Sequence, residues 1–172
     1  MSNSRTEVFV NYIIENVSRG KDKGFGAKMR NSDNDATEYQ AWEILAKWVD
    51  LEKRGERRVF ALIGASLARL KPSADGSLSI GGALRQAYFL DSSSTDLDKS
   101  STALRFNRIL ACRDQEEIIN ILRPTLRYIE SKNLLLDYSQ LLNEILWFNN
   151  ESSRERTRAR WAQHFYKKGD ES

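Results

Sequence analysis

Apolar residues recur every three to four positions along most of this chain, and this spacing restricts its fold more than any other feature. Only two prolines and nine glycines are spread over 172 residues, and the pattern leaves almost no strand. It predicts helices at about 6–17, 36–53, 56–70, 79–89, 100–112, 114–131, 137–148 and 153–168. We therefore expect an all-α fold, a helical bundle of about eight helices in two packed halves.

Several polar segments predict where these helices begin and end. Asp137 with Gln140, and Ser152 with Glu155, each have the spacing of an N-cap and its partner three residues later. The polar stretch 91–98 has the composition of a linker. We predict an N-terminal half at 1–90, a linker at 91–99 and a C-terminal half at 100–172, within one compact domain.

Two further segments predict irregular structure. Residues 20–30 are rich in glycine and basic side chains and are predicted to form a loop. Pro124 interrupts a helical pattern, which predicts a kink or break near Arg123.

Composition excludes several classes of protein. Four tryptophans and 40% apolar residues supply a core, and no apolar run is long enough to span a membrane. Residues 1–18 have the pattern of an amphipathic helix rather than of a signal peptide. Cys112 is the single cysteine, which excludes an internal disulfide and favours a reducing, cytoplasmic location.

The chain lacks a recognisable catalytic constellation. One cysteine and one histidine, His164, are too few for a zinc site, and no acidic spacing suggests a metal clamp. We expect no enzymatic activity, no cofactor and no metal. The four tryptophans occupy apolar helix faces and are predicted to be core residues before base-stacking platforms: Trp42, Trp48, Trp147 and Trp161.

Charge is distributed unevenly. The formal net charge is +3. Residues 1–98 carry 14 basic and 14 acidic side chains, and residues 99–172 carry 13 basic and 10 acidic side chains, so the whole excess lies in the second part. An excess this small does not predict a nucleic-acid partner. The decisive question is which basic residues lack an acidic neighbour on their own helix face.

Two helices carry such unpaired residues. Arg105 and Arg108 have no acid three or four positions away. Arg156 and Arg160 share a face with Gln163 and Lys167, again without a carboxylate. An exposed arginine-rich helix without a ligand remains an alternative for this last helix.

The other basic clusters are diluted by acids. Arg123 and Arg127 share a face with Glu116 and Glu130. Lys28 and Arg30 lie in the 20–30 segment, where glycines allow backbone N–H groups to approach a phosphate, but the pattern is not a P-loop. Arg54 and Arg58 lie at a helix junction with two acids. The stripe of Glu43, Lys47, Asp50 and Arg54 alternates in sign and merely solvates its helix.

Six short motifs give the chain a family resemblance. They are Gly26–Arg30, Ile80–Leu84, Arg105–Ala111, Ile121–Leu126, Leu136–Leu142 and Trp161–Tyr166. In this order they resemble the CasB-type small subunit of the type I-E CRISPR Cascade complex, a crRNA-guided surveillance complex. Tyr138 stands where the family commonly has tryptophan, and Asn31 follows Arg30 where an arginine pair is frequent.

The resemblance implies a non-catalytic, all-helical subunit present in two copies. It would contact the backbone, large and crRNA-processing subunits, and stabilise the R-loop by holding crRNA, target strand and displaced strand. The residues predicted to bind nucleic-acid backbone are Lys28, Arg30, Arg54, Arg58, Arg105, Arg108, Arg123, Arg127, Arg156 and Arg160.

Two alternatives remain open from the sequence. A helical protein-interaction adaptor would have basic faces that only solvate it. A sequence-specific helix-turn-helix repressor would discriminate between DNA sequences, although no spacing of polar base-reading residues stands out.

Overall fold

The structure is a computed structural model that describes residues 4–20, 22–92 and 96–167. These residues form nine α-helices and no strand, which confirms the predicted all-α class with one helix more than expected. The helices are α1 Arg5–Ser18, α2 Lys23–Arg30, α3 Trp42–Leu45, α4 Arg54–Leu70, α5 Ile80–Asp91, α6 Ser101–Leu110, α7 Gln115–Ser131, α8 Tyr138–Leu146 and α9 Glu151–Tyr166. Two 3₁₀ turns, Glu38–Ala41 and Leu97–Lys99, complete the regular structure.

Most of the helices begin at a side-chain cap, although α3 and α4 do not, and one of these caps was predicted correctly. Asp137 accepts a hydrogen bond from the backbone N–H of Gln140 at 2.9 Å, as its spacing predicts. The predicted cap at Ser152 is wrong, because Asn150 accepts from the N–H of Ser153 at 2.9 Å and α9 begins at Glu151. An asparagine is as good an N-cap as a serine, so sequence preference alone does not separate the two.

Three predicted segments differ in the structure. The predicted 20–30 loop contains α2, because Asp22 caps the N–H groups of Gly24 and Phe25 and the helix buries Phe25 and Met29; Lys21 lies outside the described residues. The predicted 36–53 helix is divided into a 3₁₀ turn, α3 and further turns.

The predicted break near Arg123 is also wrong, because α7 runs through Pro124 without interruption. Proline removes the N–H that would bond to the carbonyl of Asn120, an exposed residue where water can take its place.

Helix α4 lies at the centre of the molecule. It packs against α1, α2, α7 and α8, and Val59, Phe60, Ile63 and Leu67 on it are completely buried. Gly64 lets α2 approach closely, because a Cβ there would lie 2.2 Å from Cε of Met29 in α2.

Helices from both sides of the predicted linker share one hydrophobic core. Helix α5 packs against α9, α1 packs against α8, and α4 packs against α7. Leu97, inside the polar segment predicted to be a linker, is only 5% exposed and belongs to this core, so that segment contributes a core residue that its composition did not predict. The boundaries of the two predicted halves stay a prediction. Across the described ranges, no helix combines the length and the hydropathy that crossing a bilayer requires.

Candidate nucleic-acid interface

The ten predicted residues divide into two sets of five. Five are paired with a carboxylate: Lys28, Arg58, Arg123, Arg127 and Arg160. Within residues 4–20, 22–92 and 96–167, the other five have no ion pair: Arg30, Arg54, Arg105, Arg108 and Arg156. Two of these five, Arg105 and Arg108, lie on α6.

Arg105 is held in place without being neutralised. Its guanidinium lies over the ring of Tyr128 in α7, 4.7 Å from the centroid, and its buried Nη1 has no hydrogen-bond partner. A buried donor without an acceptor costs about 1–3 kcal/mol. An anion that accepts a hydrogen bond from this Nη1 would remove that cost. One turn further along α6, Arg108 is exposed. The prediction that neither has an acidic partner agrees with the described residues.

A cavity of about 430 Å³ opens beside Arg105, between α5, α6 and α7. Among the described residues that line it, the one carboxylate is that of Asp91, which accepts a hydrogen bond from the Tyr128 hydroxyl at 2.8 Å and pairs with Lys132. The Lys132 ammonium and the Tyr128 hydroxyl hold the pKa of Asp91 below its usual value. Because Asp91 interacts with these two partners, it does not form an ion pair with Arg105. The Arg105 guanidinium is therefore available to bind another anion.

A second group of arginines surrounds Asp35 in the segment between α2 and α3. Arg123 Nη2 lies 3.1 Å from Asp35 Oδ1, and Arg58 Nε lies 3.9 Å from the same oxygen. Arg58 is 5% exposed; burial and the neighbouring Arg123 lower its pKa, and its Nη2 donates to Asn120 at 3.1 Å. One carboxylate is thus shared by two guanidiniums.

Asp33 and Glu130 anchor the adjoining part of this group. Arg69 bonds Asp33 Oδ2 and Glu130 Oε2, each at 2.9 Å, and Arg127 Nη2 lies 3.7 Å from Asp33. Glu130 was predicted to dilute the Arg123–Arg127 face, but it is engaged by Arg69. Four guanidiniums therefore share three carboxylates, and exposed Arg54 adds to the positive charge at the start of α4.

On α9 the prediction of an acid-free face is wrong for Arg160. Glu144 from α8 accepts Arg160 Nε at 2.7 Å and Nη2 at 2.5 Å, and also the indole N–H of Trp161 at 2.9 Å. The acid comes from another helix, so the spacing of residues along α9 cannot predict it. Arg156 is exposed and donates to the Ser153 hydroxyl at 3.2 Å.

The remaining basic residues lie near the end of α2. Lys28 pairs with Glu43, and this contact raises the lysine pKa. Arg30, the last residue of α2, is half-buried. Glu43 therefore acts as a partner for α2 rather than only as part of an alternating stripe.

The isolated reactive residues serve the fold. His164 Nδ1 shares a 2.7 Å hydrogen bond with the Ser79 hydroxyl, which caps α5. Burial raises the pKa of the Cys112 thiol to about 11. Among the side chains that the structure describes, no cluster of three or more His, Cys, Asp or Glu is suited to a metal ion.

The tryptophans do not all follow the prediction. Trp161 is completely buried, but Trp42 is 38% and Trp147 is 59% exposed. The exposure of Trp147 is consistent with its position on the helix. Trp147 follows buried Tyr138 by nine residues, and at about 100° per residue this places it on the opposite side of the helix.

The fold and these side chains define an all-helical protein that presents guanidinium groups on several helix faces. Residues 26–166, most of the chain, match the family CRISPR-associated protein Cse2. The protein therefore belongs to the Cse2 family, the CasB-type small subunits of type I-E Cascade, and the predicted family is confirmed.

Solved structures have the same fold. CasB from M. ruber is 25% identical with a TM-score of 0.68, covering 96% of this chain and 94% of that one. A CRISPR-associated protein of the Cse2 family from Thermus thermophilus is 22% identical with a TM-score of 0.70 and coverages of 95% and 99%. CasB from Thermobifida fusca is 16% identical with a TM-score of 0.66, again at 95% and 99%. A comparison with curated protein sequences gives no match.

Proposed function

We propose that this protein is a non-catalytic Cascade subunit that holds nucleic-acid backbone without sequence preference and so stabilises the R-loop in antiviral defence. The observation that carries the proposal is the Arg105–Arg108 pair on α6, which has no carboxylate partner in the described residues and includes a buried, unpartnered Nη1. Family membership supplies the setting.

Backbone contact is the role that fits these side chains. In a guide-directed complex, base pairing between crRNA and target reads the sequence, and the protein holds phosphates. Arginine suits this task because its planar fork of donors matches two phosphate oxygens. Arg105 is pre-oriented by Tyr128, so it loses less conformational entropy on binding than a free surface arginine does.

The ten predicted residues are expected to contribute unequally to nucleic-acid binding. Arg105 and Arg108 make the principal contacts, with Arg30, Arg54 and Arg156 as further unpaired cations. Those with acidic partners contribute less, because a phosphate must compete with a carboxylate already in place: Lys28, Arg58, Arg123, Arg127 and Arg160.

The proposed partners are crRNA, the target and displaced DNA strands, a second copy of the chain, and the backbone, large and crRNA-processing subunits. The proposed location is the cytoplasm, and no cofactor is required. One alternative is an adaptor that only joins subunits. Half of the predicted residues favour it, because they form ion pairs within the protein and are therefore less available to bind phosphate.

The assembled complex separates these two functions. We would reconstitute Cascade with wild-type protein or with Arg105→Gln/Arg108→Gln and measure the lifetime of the R-loop on target DNA. The matched control is Lys47→Gln/Arg113→Gln, which removes two charges from exposed residues outside the predicted set.

Nucleic-acid holding predicts normal assembly and a shortened R-loop lifetime only for the α6 variant. An adaptor predicts equal lifetimes for all three proteins. Equal lifetimes together with normal assembly would therefore refute the proposal.

A further inference from the structure

An open pocket of about 460 Å³ lies between α8 and the first half of α9. Its lining includes Gln140, Asn143, Trp147, Ser153, Arg156 and Arg160. The lining combines one large aromatic ring, two carboxamides, two hydroxyls, two guanidiniums and one carboxylate, that of Glu144.

The aromatic ring in this pocket is left uncovered by the fold. Trp147 is the C-cap residue of α8 and is 59% exposed, whereas Trp161 on α9 is completely buried. Trp42, the other exposed tryptophan, has its ring covered by the guanidinium of Arg57 at 5.0 Å. Tryptophan offers a large flat surface for stacking, and that of Trp147 faces an open pocket.

The charges around the pocket leave one cation unbalanced. The carboxylate of Glu144 is 94% buried and accepts from Arg160, Trp161 and Gln140, so it neutralises Arg160 and has little capacity left. Arg156 donates only to the Ser153 hydroxyl in the described residues, and no acid lies three or four positions from it on α9. The pocket therefore carries a net positive charge at its α9 side.

We infer that this pocket binds an unpaired nucleobase of a single strand, with the base stacked on Trp147 and its phosphate on Arg156. Aromatic rings with arginines beside them are the arrangement by which proteins hold single strands without sequence preference. The carboxamides of Gln140 and Asn143 both donate and accept hydrogen bonds, so they suit the edge of any base. The inference deepens the proposed function and rests on it, because it names the single-stranded partner of one basic face.

The test separates the base from the phosphate. Wild-type protein and Trp147→Ala are titrated at low salt with a fluorescent single strand of mixed sequence and with an abasic strand that has the same number of phosphates. Loss of base stacking weakens binding by about 5- to 150-fold per base. We expect this loss for Trp147→Ala on the base-bearing strand and no change on the abasic strand.

Three further proteins sharpen the result. Trp147→Phe keeps an aromatic face and is expected to recover part of the affinity. Trp42→Ala removes an exposed tryptophan outside the pocket and is expected to bind like wild type. Arg156→Gln is expected to weaken both strands equally, because each strand presents the same phosphates.

The outcomes distinguish this inference from the proposed function. Salt-dependent binding that is identical for wild type and Trp147→Ala overturns the base pocket and leaves backbone holding intact. No binding of either strand by wild type, in isolation and in the complex, overturns the proposed function itself. Normal strand binding by Trp147→Ala, combined with loss of association with the other subunits, identifies the pocket as a protein-docking site and also overturns the inference.

Discussion

Gly81 lies where α5 meets α9, and its replacement by alanine is expected to destabilise the protein. A Cβ at this position would lie 1.9 Å from the carbonyl oxygen of Trp161 and 3.2 Å from the backbone N of Phe165. Both neighbours are backbone atoms, so no side chain can rotate away. Restoring an ordinary contact of 3.4 Å requires α9 to move by about 1.5 Å.

Such a movement disturbs the buried part of α9. Trp161 and Phe165 are completely buried, and even a gap of 0.5–1 Å forfeits about a quarter to a half of each van der Waals contact. Overpacking of this kind costs about 1–3 kcal/mol, while alanine returns up to about 1 kcal/mol of helix propensity. Because an approach of 1.9 Å to a backbone atom puts the overpacking cost at the upper end of this range, we expect a net loss of about 2 kcal/mol, or a melting temperature lower by roughly 4–8 °C.

The neighbouring Gly82 provides the matched control. A Cβ there would have its nearest neighbour at 3.5 Å, an ordinary contact with the Ser79 hydroxyl. Gly82→Ala is therefore expected to be neutral or stabilising by up to about 1 kcal/mol. Urea titrations followed by circular dichroism at one protein concentration measure both variants. Equal stability of Gly81→Ala and Gly82→Ala would refute the close approach of α5 and α9.

Two further predictions concern buried groups. Arg69→Met leaves the carboxylates of Asp33 and Glu130 buried without their shared partner, and we expect a loss of about 3–5 kcal/mol in the same urea titration; a loss below about 1 kcal/mol, as expected for the exposed Arg113→Met, would contradict the network. The Cys112 thiol is expected to react slowly with a thiol reagent in the folded protein and rapidly in urea, because it is 6% exposed with a pKa raised to about 11. Since the unfolded thiol deprotonates first, Cys112→Ala should lose less stability than wild type between about pH 9 and 11, and an identical loss would argue against a raised pKa.

The helical class was predictable because it depends on local periodicity. Most predicted helices occupy nearly the predicted positions, since apolar spacing along a helix matches the face that the core buries. The division of 36–53 was not predictable in the same way. Its residues are apolar over most of a helical projection, so the pattern does not mark where turns replace the helix.

The candidate interface was predictable only where charges have local neighbours. Arg105 and Arg108 lack acids along their own helix, and the structure brings none to them within the described residues. Arg123 pairs with Asp35 across 88 positions, and Arg160 pairs with Glu144 across 16. Helix-neighbour rules reach only three or four positions, so such pairs become visible only when tertiary packing is known.

The salt dependence of DNA binding tests the central claim most directly. We would measure anisotropy for an unrelated single strand and an unrelated duplex across a salt series, with wild type and with Arg105→Glu/Arg108→Glu. The slope of log K against log salt is negative, and each lost phosphate contact reduces its magnitude by about 0.7 for a single strand and 0.9 for a duplex. If α6 holds the backbone through Arg105 and Arg108, binding is independent of sequence, and the loss of both contacts reduces the magnitude of the slope by roughly 1.4–1.8 in the variant. An unchanged slope and affinity would contradict it.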